Sequence, residues 1–455
     1  MVAPLLLCCC CKQKVEPQPN NREPLGGPPR LGAGGSTSDD ERSAEPADVS
    51  ARGTFVMGKK VRELRRPGAW PGRGVPFKDP VYHTTVVRVT DRGVDGYRDK
   101  GIKQEYARTD PENSDGTLLV LRGTEANWYL YDARSFKKLR DLDMLGAGVQ
   151  EAEPRWDASN PGLLYHLHDM KLMALDVRSG KNRVVHDFKR EFPWGAQIAT
   201  GSEGDASVDR RRWCFMVRKK AGDDEWAPRV VISYDRTADR IVGRMKVTRP
   251  IDALTTSMSG RHCVIGWDER PATAHPFDLG KTVKLPKGVT GHQDMALTRG
   301  GKDVSVYQNV DTDEIAMADL DTGRETSLVA IPFDVNPDLG LHFSGNCART
   351  PGWVLVSTYS ALKIQKGRRR SWMDRQLFMV ELKRSPRIWR IAQVNTVTRV
   401  RVGGGDPYYY AEPFAAINTA GTRVYWGSNW EGGKIERIET FVALLPAGWP
   451  RQLPR

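Results

Sequence analysis

Long apolar runs are missing from this chain. After Cys11 no stretch approaches the ~18 residues that span a bilayer, so its body is expected to carry no transmembrane helix. Cysteine is scarce, seven in 455 residues. Four stand together as Cys8, Cys9, Cys10 and Cys11, and Cys214, Cys263 and Cys347 lie far apart, so no disulfide framework is expected. There is no Gly-x-Ser-x-Gly elbow and no phosphate-binding P-loop, which removes support for an α/β-hydrolase or a P-loop nucleotidase. Zinc-finger spacing, an RNA-binding aromatic signature and a basic amphipathic helix are also lacking, so no specific nucleic-acid partner is expected. Helical periodicity is nearly absent.

What is present is turn and strand chemistry. The chain has 44 Gly, 29 Pro and 13 Trp, a composition of short strands punctuated by turns and packed with aromatic rings. Lys and Arg number 69 against 56 Asp and Glu, and the resulting +13 favours polyanions, although a charge this spread also reads as a solvated surface. Local clusters occur at Arg210–Arg212 and Lys366–Arg370. Residues 1–12 resemble a short secretory or lipoprotein leader, an apolar stretch ending at cysteine. Residues 13–75, rich in Pro, Gly, Ser and charge, read as a disordered tether. An exported protein is expected, a monomer touching membrane only through an N-terminal lipid anchor.

Residues 76–455 read as one repeat domain. A turn with Asp or Gly followed by β-formers recurs from Ser114, Trp156, Val208, Met258, Arg299, Thr350 and Thr419, about 40 to 70 residues apart. Second halves recur as Tyr129-Leu-Tyr-Asp, Met173-Ala-Leu-Asp, Ile232-Ser-Tyr-Asp and Met317-Ala-Asp-Leu-Asp. One small sheet cannot cover both its faces, so such copies stack as blades. The fold class is all-β, a seven-bladed β-propeller, with six blades plus an extra sheet as the alternative count. The alternating strand His83-Thr-Thr-Val-Val-Arg-Val-Thr is placed to complete the last blade and close the ring.

Trp156-Asp-Ala-Ser-Asn-Pro with Leu175-Asp-Val-Arg-Ser-Gly-Lys resembles the WD40-like repeats of TolB-type bacterial propellers, over roughly residues 110–446. Pro111-Glu-Asn-Ser-Asp-Gly-Thr, Gly201-Ser-Glu-Gly-Asp-Ala-Ser, Gly291-His-Gln-Asp, His342-Phe-Ser-Gly-Asn-Cys, Ala411-Glu-Pro and Gly427-Ser-Asn-Trp resemble propeller polysaccharide lyases, the ulvan lyase group and more distantly oligogalacturonate lyase. The resemblance implies an acidic polysaccharide or oligosaccharide as partner and β-elimination as the reaction. It also implies a tyrosine as general base, for which Tyr234 is the candidate, and a histidine near the position of Tyr410, where tyrosine stands instead.

Elimination needs a base for the proton beside a uronate carboxylate, a cation to neutralise that carboxylate and an acid for the leaving oxygen. His166 and His168 alternate on one strand and share a face, which makes them the proton-transfer candidates. Arg212 has the planar fork that matches a carboxylate. Tyr409, Tyr410 and Glu412 suit a sugar ring, joined as substrate-binding candidates by Asn429 and Trp430. Glu203 and Asp205 sit in a Gly-flanked acidic turn. His292 and Asp294 on one segment, with His342 and Cys347 on the next blade, compose a tetrahedral N2OS set, a structural zinc site with no open position. The rival reading is a non-catalytic propeller that binds protein or glycan at its rim.

Overall fold

The computed structural model describes residues 55–145, 152–220, 226–268, 271–360, 369–398, 408–432 and 437–454. The leader and most of the expected tether lie outside them. The strands form seven antiparallel sheets. Blade 1 runs Ile102–Lys103, Leu118–Gly123, Trp128–Asp132 and Lys138–Asp141, and blade 2 runs Arg155–Trp156, Leu163–His168, Lys171–Asp176 and Asn182–Asp187. Blades 3, 4 and 5 repeat the order from Gln197, Ile251 and Val289. Blade 6 begins at Leu339–Ser344 and gains Val56–Met57 as a fifth strand. Blade 7 holds Ala416–Ile417, Arg423–Ser428 and Glu439–Leu444, then Thr85–Arg88 and Pro76–Lys78. The ring therefore closes as the sequence suggests, with Val86 opposite Ala443 and Val87 opposite Val442.

Each repeat found in the sequence begins at the turn before a blade's second strand. The recurring Asp is turn chemistry: Asp132, Asp176, Asp235 and Asp319 each accept from the amides two and three residues on. Strand alternation then supplies both faces of a blade. Leu118 and Val120 pack with Trp156 and Leu164 of blade 2, while Leu119 and Leu121 pack with Tyr425 and Val442 of blade 7. Seven such apolar clusters fill the seven seams.

Two expectations need correction. Cys214 and Cys263 form a disulfide, because residues 49 apart in sequence occupy the second strands of neighbouring blades 3 and 4, with Cα atoms 5.8 Å apart. The tether also ends before residue 75. Met57 pairs with Trp389, Leu64 is buried, and Trp70 stacks on Phe441 beside Trp430, so a Pro- and Arg-rich stretch is held by a few aromatic anchors. Among the described residues no helix is long and apolar enough to cross a membrane.

Candidate functional site at the channel end

The first strand of each blade lies innermost, around the axis. Innermost strands approach closely where glycine permits it. Gly345 donates its N–H to Asp294 Oδ2 at 2.7 Å, and a Cβ there would collide with the Met295 carbonyl. The loop after Lys103 crosses the channel: Gln104 donates to Pro413 O, Tyr106 packs on His342 and Phe414, and Arg108 reaches Glu203 at 3.2 Å.

Three blades meet beneath this loop. His342 of blade 6 places Nε2 2.7 Å from Glu412 Oε2, in the segment leading into blade 7. His292 of blade 5 lies 5.4 Å from His342, ring to ring. Tyr359 stacks on His342 at 5.3 Å and hydrogen-bonds Glu412, and Phe414 meets His342 edge-on at 4.7 Å. Lys103 Nζ donates to the Glu412 carbonyl at 2.8 Å and lies 3.5 Å over the Phe414 ring.

Desolvation sets the proton positions here. It pushes Glu412 up to about 7 against the opposing pull of His292, Tyr359 and Lys103. It lowers His292 to about 4, helped by His342 and Arg108, and it holds His342 well below the usual imidazole range. Near neutrality both imidazoles are thus uncharged and Glu412 is divided between acid and carboxylate. Nδ1 of His292 is buried with no hydrogen-bond partner among the described residues. Across the channel, Arg155 joins Glu105 at 2.6 Å and Asp205 at 3.3 Å, and Arg210 joins Asp205 at 2.6 Å.

Of the residues singled out in the sequence, the structure gathers His292, His342, Glu412, Glu203 and Asp205 around the channel. Tyr409, exposed and 4.9 Å from Phe414, and Tyr410, 5.6 Å from Tyr409, stand at its rim. The four catalytic candidates lie elsewhere, since all occupy second or third strands rather than innermost ones. His166 meets Asn182 at 3.1 Å on the outer strand of its own blade, and His168 is exposed beside a turn. Arg212 donates to Gly260 O and covers Phe277, linking blades 3 and 4. Tyr234 is buried and donates to Asp239 at 2.7 Å.

Two substrate-binding candidates are structural. Asn429 ties both sides of Val397, and Trp430 donates to Gly68 O and Ala69 O while stacking on Phe441 at 4.9 Å. The zinc set does not assemble. Both Asp294 oxygens are taken by the Met295 and Gly345 amides, Cys347 Sγ donates to Trp353 O within an apolar seam, and no three His, Cys, Asp or Glu side chains among the described residues gather to hold a metal ion. Sequence reasoning missed Lys103, Tyr106, Arg108, Tyr359 and Phe414. None stands in a phrase with recognisable spacing, and only the ring closure brings blades 1 and 7 together.

No protein-family profile and no curated protein matches the chain. Among solved structures, an oligogalacturonate lyase in complex with manganese matches at TM-score 0.56 and 14% identity, covering 87% of this chain and 98% of that one. The oligogalacturonate lyase of Vibrio parahaemolyticus matches at TM-score 0.53 and 12% identity, covering 87% and 99%. At such identity the likeness shows the fold alone: the chain is a seven-bladed β-propeller similar to those of the two oligogalacturonate lyases. The donors at positions 292, 294, 342 and 347 do not fit a metal such as the manganese of that neighbour.

Proposed function

We propose that this propeller is exported and acts on an acidic polysaccharide at the channel end, cleaving it by β-elimination. The observation that carries this reading is the meeting of His292, His342 and Glu412 in one desolvated pocket, with Arg108 supplying positive charge felt at both imidazoles. In the reaction, neutral His292 takes the proton from the carbon beside the uronate carboxylate. The electron pair forms the new carbon–carbon double bond, the bond to the glycosidic oxygen breaks, and protonated Glu412 returns a proton to that oxygen. His342 and Tyr359 hold the Glu412 carboxyl in place. Arg108, stabilised in its charged form by Glu203, offsets the charge that builds on the substrate carboxylate. Tyr409 offers a ring face to the sugar at the rim. Export is supported by the buried Cys214–Cys263 disulfide, a bond that persists in oxidising compartments.

The test is incubation with polygalacturonate and other uronate polymers, read as ultraviolet absorbance of the unsaturated product. Product from the wild type and none from His342→Ala supports the reading, and no product from any uronate polymer sinks it. A second reading, glycan binding without cleavage, is favoured by the scatter of His166, His168, Arg212 and Tyr234 away from the channel and by tyrosine at position 410. It predicts retention on a uronate polymer with no absorbance change.

A further inference from the structure

A cleft of about 880 Å³ lies on the outer rim, where residues 60–66 run along blade 6 and the turn at residues 80–83 leaves blade 7. From the innermost strand of blade 6 to this edge is about 20 Å at ordinary strand spacing, so the cleft is separate from the channel. Lys60, Arg62, Arg65, Arg66 and Arg370 line it with His83, against one acid among the described residues, Glu63. Its wall is fixed rather than loose. Buried Arg390 donates to Gly58 O and Lys60 O at 3.4 and 3.1 Å, and Gln393 holds both backbone groups of Arg65 at 3.1 and 2.8 Å. Leu64 is buried beneath. The nearby Asp79 is buried, and its carboxylate accepts from the amides of Val81, Tyr82 and Gln393.

A second feature points to a ligand. Arg370 Nη1 is buried with no hydrogen-bond partner among the described residues. A desolvated guanidinium nitrogen left unsatisfied is costly, and an anion entering the cleft would satisfy it. The size suits two or three sugar units. Among the described residues no aromatic ring other than His83 lines the cleft, so it offers little for stacking nucleic-acid bases.

We propose that this rim cleft binds a carboxylated polysaccharide chain through its arginines, apart from the channel. The inference rests on the proposed function only for the class of polymer, and it holds whether or not the channel cleaves. Arginine is suited to the role because its planar fork meets both carboxylate oxygens while Lys60 adds a point charge.

The test is affinity electrophoresis of the full chain in gels containing polygalacturonate, with neutral dextran as the blank. Cleft substitutions are expected to weaken the retardation by the same factor in wild type and in a His342→Ala background, which separates this site from the channel. Arg62→Ser/Arg65→Ser/Arg370→Ser is expected to bind about tenfold more weakly. The matched variant Arg178→Ser/Lys181→Ser/Arg183→Ser, on an exposed hairpin of blade 2, is expected to keep its retardation. If the triple variant fails to fold, Arg62→Ser/Arg65→Ser alone, at two exposed positions, is expected to weaken binding about threefold. Equal loss in the cleft and hairpin variants would assign the binding to diffuse charge and overturn the proposal. So would no loss in the cleft variants, or tighter cleft-dependent binding of single-stranded DNA than of polygalacturonate.

Discussion

Two assemblies in this molecule use the same three groups, a histidine, a carboxylate and a tyrosine, and behave oppositely. At the outer edge of blades 2 and 3, His186 lies 2.7 Å from Asp239, and Tyr234 donates to the same carboxylate. The Asp239 side chain is 64% exposed, and the Tyr234 hydroxyl holds its carboxyl below the ordinary range, helped by His186. In the channel His342, Glu412 and Tyr359 repeat the set, with the Glu412 side chain only 12% exposed and its carboxyl pushed up to about 7. Water decides the difference. Where solvent reaches the acid, the trio is a fixed charge that ties strands together; where solvent is excluded, the same hydrogen bonds leave a proton poised near neutrality.

The largest effect should separate the two sites by activity. Glu412→Gln is expected to lower the rate of unsaturated-product formation by 10²-fold or more, and Asp239→Asn to leave it unchanged. The wild-type rate should be bell-shaped in pH. It rises as His292 becomes neutral, at about 4, and falls as Glu412 loses its proton, at about 7. Stability should slope in opposite directions at the two sites. Glu412 titrates higher folded than its ordinary 4.5, so its contribution is full below about 4.5 and is lost as pH rises through about 7. Asp239 titrates lower folded, so its contribution is present above its ordinary 3.8 and is lost as pH falls through its depressed value. Melting curves at pH 5 and 8 for Glu412→Gln, and at pH 2 and 5 for Asp239→Asn, each against wild type, check the two signs, and parallel slopes would break the comparison.

The next effect tests the wall that carries the outer trio. Cys214→Ser/Cys263→Ser removes a link closing a loop of 49 residues, and a loss of ~4 kcal/mol is expected in denaturant melts. Wild type treated with reductant should approach the variant, and the channel's pH limbs should stay in place because neither cysteine touches it.

How much of this was legible in the sequence depends on which kind of contact carried it. The blades were readable because turn aspartates and alternating strands are local: Asp132, Asp176 and Asp235 signal their turns within four residues. Ring closure was readable because Thr85–Arg88 alternates like a strand and needs a partner. The site was readable only in fragments. His292 and His342 stand in short phrases, yet their meeting with Glu412, and the roof of Tyr106 and Phe414, depend on which innermost strands the ring brings together. The same limit hid the disulfide, since Cys214 and Cys263 are neighbours only across a seam. His166 and Tyr234 misled because a strand pattern gives the face of a side chain and not the strand's distance from the axis.

The smallest effect is the finest test of that last distinction. Tyr234→Phe removes one hydroxyl that donates to Asp239 and leaves the ring packed on His186, Phe188 and the blade 2–3 seam. Deleting one such hydrogen bond at a carboxylate open to water should cost about 1 kcal/mol. Product formation and its pH limbs should not move. Because the hydroxyl holds the Asp239 carboxyl low, the variant should also lose part of the stability that wild type gains as pH rises through the acidic range. A change in rate without a change in stability would place Tyr234 in the chemistry after all, and would mean that the outer trio communicates with the channel through the packed seam between blades 2 and 3.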